Sequence, residues 1–306
     1  MRRLFIFGNG FDRVHNLPTR YIDYRNFLQK SPENGRFCMQ IENTYGIGAD
    51  EEYWWSDFET NLGEGCNFEI EFEAMANSAI NYMITDEGEE MYDIEEALRN
   101  HFESYYNFMN KLNDTVLEWV ESIDLSDVKP IFHKLRNKEN YFFTFNYTPV
   151  LEKVYGVSRN RVCHIHGSVQ ECHVIMGHGN WNSIEKYRKE REEKIEKLDK
   201  NGAEISNGMY EFYLASFKNT KRIIEWNEAK IEKYQGIEEV HVFGHSLGKV
   251  DMPYYQKIKK YISNKANWYF YNYNEIEQNV LKKIEDLKIK DKYIHILPSK
   301  KFVSFK

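Results

Sequence analysis

Glycine, asparagine and histidine recur just after short apolar runs, and these are the residues that could do chemistry. Run 4–7 leads into Gly8-Asn9-Gly10-Phe11-Asp12, and run 141–145 into Asn146-Tyr147-Thr148. Run 162–165 carries His164 and leads into His166-Gly167; run 174–176 leads into Gly177-His178-Gly179, and run 240–243 into Gly244-His245-Ser246-Leu247-Gly248. Glycines after a first strand permit a tight turn and a close approach of backbone N–H groups to a phosphate. Gly8 and Gly10 lack the third glycine of the usual dinucleotide fingerprint, so the turn also reads as a plain strand-to-helix connection with Asp12 as a cap. Asn146 offers an amide that could fix a ribose hydroxyl or a water, and equally a turn residue ahead of Pro149. His166 is a candidate base, because an imidazole exchanges protons near neutrality; a structural histidine is the alternative.

Two further constellations could do chemistry. His164 and His166 lie two apart, near Cys163, Cys172, His173 and His178. Their spacing matches no zinc pattern, and a strand would turn Cys163 to the opposite face, so no metal is expected. The string 244–248 matches G-x-S-x-G between a strand and a helix, the setting of a serine-hydrolase elbow. A triad on Ser246 would need Asp286 or Asp291 together with His295, and it leaves the first glycine turn and Asn146 without roles. Ser56-Asp57-Phe58-Glu59 has capping-box spacing, which assigns Glu59 to a helix start.

Positioning these residues requires buried strands with helices between them. The runs 4–7, 141–145, 162–165, 174–176, 240–243, 268–271 and 293–297 lack polar alternation, as strands covered on both faces do. Helical stretches are expected at about 20–30, 68–120, 148–156, 183–200, 208–234, 251–263 and 274–288. Strands separated by helices imply an α/β fold: a Rossmann-like, doubly wound, mostly parallel sheet. In such sheets ligands bind beyond the carboxyl ends of the strands, which is where the polar residues fall. The expected organisation is one domain over 1–306, with helical insertions at about 48–125 (acidic) and 183–236 (charged).

The charge balance narrows the ligand. The chain has 306 residues and a net charge of −7, with 42% hydrophobic and 29% charged residues. Residues 50–103 hold seventeen acids against one base, Arg99, so that block carries −16 and the remainder +9. A −7 total argues against a nucleic-acid coat, while the cationic remainder suits an anionic small molecule. Opposite charges at helical spacing over 185–194 read as a solvated helix. No apolar run approaches the roughly 18 residues of a membrane span. Four cysteines without a CxxC pair suit a reducing compartment, so a cytoplasmic location is expected.

In combination these motifs resemble a known family. Phe5-Ile6-Phe7-Gly8-Asn9-Gly10-Phe11-Asp12, Leu17-Pro18-Thr19, Trp55-Ser56-Asp57-Phe58-Glu59, Phe145-Asn146-Tyr147-Thr148, His164-Ile165-His166-Gly167 and Gly244-His245-Ser246-Leu247 resemble, in this order, the bacteriophage abortive-infection AbiH-like family. That pattern is in turn distantly similar to sirtuin-like NAD-binding domains. The resemblance implies a phage-defence effector that binds NAD as substrate and cleaves its nicotinamide–ribose bond. It implies a pyrophosphate cradle at residues 8–12, a ribose or water contact at Asn146 and a base at His166. Thr148, Gly167, Gly244, His245 and Ser246 would complete the NAD contacts. The two Cys pairs of the sirtuin zinc module are missing, which argues against protein deacylation. Thr148 stands where those domains usually carry an acid. That feature favours an alternative, a nucleotide-sensing module without catalysis. A phage-derived trigger and a homo-oligomer are the further partners expected; membrane and nucleic acid are not.

Overall fold

A computed structural model describes residues 2–47, 51–64, 94–273 and 276–305. Much of the acidic block, with Cys66, lies outside the described residues. The strands are β1 (Arg3–Phe7), β2 (Asn140–Thr144), β3 (Val162–His164), β4 (Gly167–Ser168), β5 (His173–Val174), β6 (Glu239–Phe243), β7 (Asn267–Asn272) and β8 (Ile294–Pro298). Six of them form one sheet in the order β3-β2-β1-β6-β7-β8. Every pairing in that sheet is parallel. The chain therefore builds outward from β1 to one edge, returns, and builds to the other edge. This is the strand order of the doubly wound dinucleotide-binding sheet, and the order reverses between β1 and β6.

The absence of polar alternation follows from burial on both faces. Leu4 and Ile6 enter one apolar cluster with Phe143, Val240, Val242 and Trp268. Phe5 and Phe7 enter the opposite cluster with Phe142, Val162, Phe243 and Phe302. In-register pairing also stacks five rings across five strands. Phe142, Phe5, His241, Tyr269 and His295 follow one another with centroids 5.6, 5.1, 4.8 and 4.6 Å apart.

The run 174–176 does not join the large sheet. β5 instead pairs antiparallel with β4 in a two-stranded hairpin. Gly167 takes φ +79°, and a Cβ there would stand 2.3 Å from the His173 carbonyl oxygen, so only glycine admits this close approach.

The chain divides into two compact units. The first comprises Met1–Arg20, Leu117–Ile175 and Asn219–Lys306 and contains the whole sheet. The second comprises Tyr21–Val116 and Met176–Lys218. Apart from an isolated bridge between His178 and Phe217, its described secondary structure is helical: Tyr21–Leu28, Pro32–Thr44, Glu51–Ser56, Phe58–Asn61, most of Ile94–Glu121, Trp181–Glu196 and Lys200–Ala215. The helix Pro32–Thr44 was not anticipated from periodicity. Its start is set by Ser31, whose hydroxyl accepts from the Asn34 N–H, with proline in the first turn. The expected helix over 208–234 breaks into Lys200–Ala215, Thr220–Trp226 and Glu228–Ile231, because Asn219 caps a new start. Trp181–Glu196 is the solvated charged helix expected, with Arg188 bridging Glu185 and Glu192.

Candidate functional site

The carboxyl ends of β1, β2, β3 and β6 bring four of the sequence motifs to one edge of the first unit. The turn after β1 lies directly against the turn after β6. The Gly10 N–H donates to the Gly244 carbonyl oxygen at 2.8 Å, and the Gly8 N–H to that of Phe243 at 3.2 Å. A Cβ on Gly10 would stand 2.5 Å from the Gly244 Cα, and Gly244 itself takes φ +71°. These glycines are accounted for by backbone meeting backbone. The Phe11 N–H is likewise bonded to the Gly8 carbonyl, so three N–H groups of the expected phosphate cradle are engaged within the chain. Phe11 stacks on Phe7 at 4.0 Å in the core. Asn9 is tied to Thr19 through both ends of its amide.

Asp12 is the ionisable member of this turn that faces inward. It is 2% exposed, and its Oδ2 accepts from the Thr148 hydroxyl at 2.6 Å. Burial pushes its carboxyl up to about 7, against the pull of Thr148, Asn146 and His164. The turn after β2 is thereby bonded, through Thr148, to a carboxyl on the turn after β1.

Asn146 is held from several directions. Its backbone N–H donates to Thr144 Oγ1, and its side-chain Nδ2 to the Gly8 carbonyl at 3.1 Å. Its own carbonyl accepts from His164 Nδ1 at 2.8 Å. The other nitrogen of His164 lies 3.0 Å from Glu152 Oε1. Burial would lower the His164 pKa, but the Glu152 carboxylate and the Asn146 carbonyl outweigh it and raise it. His164 and Glu152 were not assigned a role by sequence. The signal available was the two-residue spacing with His166, which did not say which imidazole faced what.

His166 is 4% exposed; its Nε2 lies 3.1 Å from the Tyr254 hydroxyl, with the Phe145 ring alongside. His245 serves its own turn: Nδ1 accepts from the Leu247 N–H, and Nε2 lies 3.3 Å from Asp251 Oδ2. Ser246 is exposed, and its carbonyl accepts from Lys283. The positive φ values of this turn fall on Gly244 and Leu247, not on the serine. His295 bonds Asn267, and its register partner Tyr269 is in turn aligned with His241. That row lies two residues inside the end of β6, whereas Ser246 lies three residues beyond it. The geometry does not assemble a serine triad from Ser246 and His295.

Polar atoms without partners mark the same edge. Among the described residues, Asp12 Oδ1, Glu152 Oε2, Ser168 Oγ and Tyr255 Oη are four of the six buried side-chain polar atoms that lack a hydrogen bond. Such atoms are costly unless something polar meets them, and each requires an explanation. All four sit on the segments that follow β1, β2, β3 and β6.

The metal question divides between the units. His178, in the second unit, accepts the Asn180 N–H on Nδ1, so Nε2 donates to the Tyr213 carbonyl and Ser216. Burial lowers its pKa to about 4, and it is a structural histidine. Among the described residues no three of His, Cys, Asp or Glu converge as metal ligands. Glu59 stands in the first turn of the helix Phe58–Asn61, as its spacing suggested, but its carboxylate is engaged at longer range. It pairs with the wholly buried Lys218 and accepts from Tyr21, both in the second unit.

A family model described as bacteriophage abortive infection AbiH matches residues 4–273. The chain belongs to the AbiH family. No curated protein and no solved structure matched. The AbiH match runs from β1 into the end of β7 and so includes every motif at the sheet edge. No helix of this AbiH chain is, among the described residues, long and apolar enough to cross a membrane.

Proposed function

We propose that this AbiH chain is an intracellular abortive-infection effector that binds NAD at the carboxyl edge of its sheet and hydrolyses the nicotinamide–ribose bond. One observation carries the reading: four polar motifs, with four orphaned buried polar atoms, converge where the strand order reverses, the position at which sheets of this order bind dinucleotides. The committed N–H groups of the first turn point to the ribose end of the substrate, rather than its pyrophosphate, as the part read here. A buried amide, imidazole, carboxyl and hydroxyl suit a ribose diol and a water.

In this reading Asn146 Oδ1 holds the attacking water, and His166 accepts its proton. The water oxygen bonds to the ribose C1′ as the C1′–N bond breaks. The bonding pair leaves on the nicotinamide nitrogen, which becomes neutral. The transition state has oxocarbenium character, and fixed dipoles in a water-poor site stabilise it more than water would. The likeness to sirtuin-like domains supports the same assignment of Asn146 and His166. Gly167, Gly244 and His245 then act by shaping the turns around the ligand, and Ser246, which is exposed, lines the rim. We further infer one Rossmann-like core bearing helical insertions, a cytoplasmic location, and activation by a phage-derived trigger, with self-association among the possible responses.

The test is nicotinamide release from NAD by the purified full chain, with and without lysate of infected cells. Asn146→Ala and His166→Ala should each lower release by about 100-fold or more, the usual scale for a positioned acid–base group. Silence of the wild-type chain under both conditions, or full activity in both variants, sinks the reading. Binding of NAD without turnover would instead identify a nucleotide-sensing module.

A further inference from the structure

We propose that His164, backed by Glu152, is a positioning residue that fixes the main chain of Asn146 and so aims its amide, an inference that rests on the cleavage reading above. A residue beyond the end of a strand ladder keeps one direction only if other groups satisfy its peptide N–H and carbonyl. On either side of Asn146 the backbone is bonded to backbone. The Phe145 N–H donates to the Phe7 carbonyl at 2.9 Å, and the Tyr147 carbonyl accepts from the Val169 N–H at 3.2 Å. Asn146 departs from this pattern. Its N–H donates to Thr144 Oγ1 at 3.1 Å and its carbonyl accepts from His164 Nδ1 at 2.8 Å, so side chains hold both peptide groups. Thr144 and His164 are the last register pair of β2 and β3, so the grip comes from two strand ends that the ladder already fixes. With the main chain set, the bond from Nδ2 to the Gly8 carbonyl settles the amide.

Donor and acceptor chemistry fixes the protons. A carbonyl only accepts, so Nδ1 of His164 carries a hydrogen. Nε2 then faces Glu152 Oε1 at 3.0 Å, a contact that needs one further proton between them, since otherwise a nitrogen lone pair would oppose a carboxylate. Both side chains are buried, at 5% and 9% exposure, so the ring is oriented by these two contacts rather than by solvent. The titratable groups that act on His164 are carboxyls: Glu152 on the helix Val150–Lys153, Glu171 on the turn Val169–Glu171 and Asp12 on the turn after β1. They favour the doubly protonated ring, in agreement with its raised pKa. Glu152 therefore orients His164, and His164 orients Asn146. In the cleavage reading neither of the two touches substrate.

The experiment follows nicotinamide release from NAD by the full chain and compares two substitutions in a Glu152→Gln background. That background leaves no carboxylate stranded, and its amide can accept from a protonated Nε2 or donate to a bare one, so Nδ1–H stays on Asn146. Adding His164→Asn keeps a donor where Nδ1 stood; adding His164→Leu, of similar size, removes it. His164→Leu should lower kcat by about 100-fold with KM changed by less than about threefold, the scale of a 1 Å misplacement, and His164→Asn should recover at least about tenfold of that loss. Circular dichroism checks that each variant folds. Nitrogen NMR of labelled histidine in the wild-type chain should show His164 protonated at Nδ1, a readout that needs no turnover and carries the test if His164→Leu does not fold. Equal kcat in folded His164→Asn and His164→Leu overturns the proposal, as does a loss that falls on KM instead of kcat. A neutral ring protonated only at Nε2 also overturns it, because that tautomer cannot donate to Asn146. A wild-type chain that releases no nicotinamide fails earlier, at the cleavage reading, and removes this role with it, whereas the wrong tautomer in an active chain removes the positioning role alone.

Discussion

A carboxyl group taken out of water resists ionisation, and Asp12 is almost wholly out of water. Its folded-state pKa of about 7 stands above the ordinary value of 3.8, so between these values the folded chain holds a proton that the unfolded chain has released. Stability from this group is therefore full below about pH 4 and is lost as pH rises through about 7. The loss approaches about 4 kcal/mol, taking about 1.4 kcal/mol per unit. His164, with its raised pKa, acts in the same direction: it favours the folded state at low pH and releases that advantage as pH rises. Comparing thermal melting of wild type and Asp12→Asn from pH 5 to 8 isolates the carboxyl. The wild type should lose stability relative to the variant as pH increases. A constant difference across this range would mean that Asp12 is ionised throughout.

The turns after β1 and β6 act as one element, because each leaves no room for a side chain on the other. A Cβ on Gly244 would meet the Phe11 nitrogen at 2.6 Å, and φ there is already +71°. Gly244→Ala should therefore cost about 3 kcal/mol or more, from a left-handed backbone plus a displaced turn. Chemical denaturation reads this directly, and a loss under about 1 kcal/mol would show that the two turns can part cheaply. The strands were legible in sequence because burial on both faces removes alternation from residues such as Leu4, Phe5, Ile6 and Phe7. Asn146 and His166 were legible as site candidates because polar residues at the end of an apolar run need a reason. Partnerships across the fold were not. Nothing in the spacing of Asp12 and Thr148, or of His164 and Glu152, says that they touch, since they meet only once the strands are ordered. The spacing at Ser56–Glu59 marks a helix start, but nothing in it names the distant lysine that the Glu59 carboxylate meets. The helix Pro32–Thr44 could have been found, since Ser31-Pro32 is a start signal independent of periodicity.

At the scale of the whole molecule, chemistry and charge are segregated between two units that each bury their own core. The first holds the sheet and every motif at its edge. The second is helical in its described parts and includes the Trp55 and Phe58 rings, stacked at 4.8 Å. Its least expected feature is an ammonium with no exposure, Lys218, neutralised by Glu59, which also accepts from Tyr21. These residues come from both chain segments of the unit, 21–116 and 176–218, so the pair joins the two. An ion pair taken out of water gains little net stability, but breaking it leaves a charge stranded. Glu59→Gln should therefore destabilise by about 3 to 5 kcal/mol, while Glu59→Leu combined with Lys218→Met should recover most of that loss. Hydrogen exchange locates the effect. Faster exchange in the helices Tyr21–Leu28 and Lys200–Ala215, with unchanged protection in β1, β2 and β6, is the expected pattern for Glu59→Gln. Uniform loosening across both units would show that they unfold as one, and a double variant no better than the single would show that Lys218 matters for its reach rather than its charge.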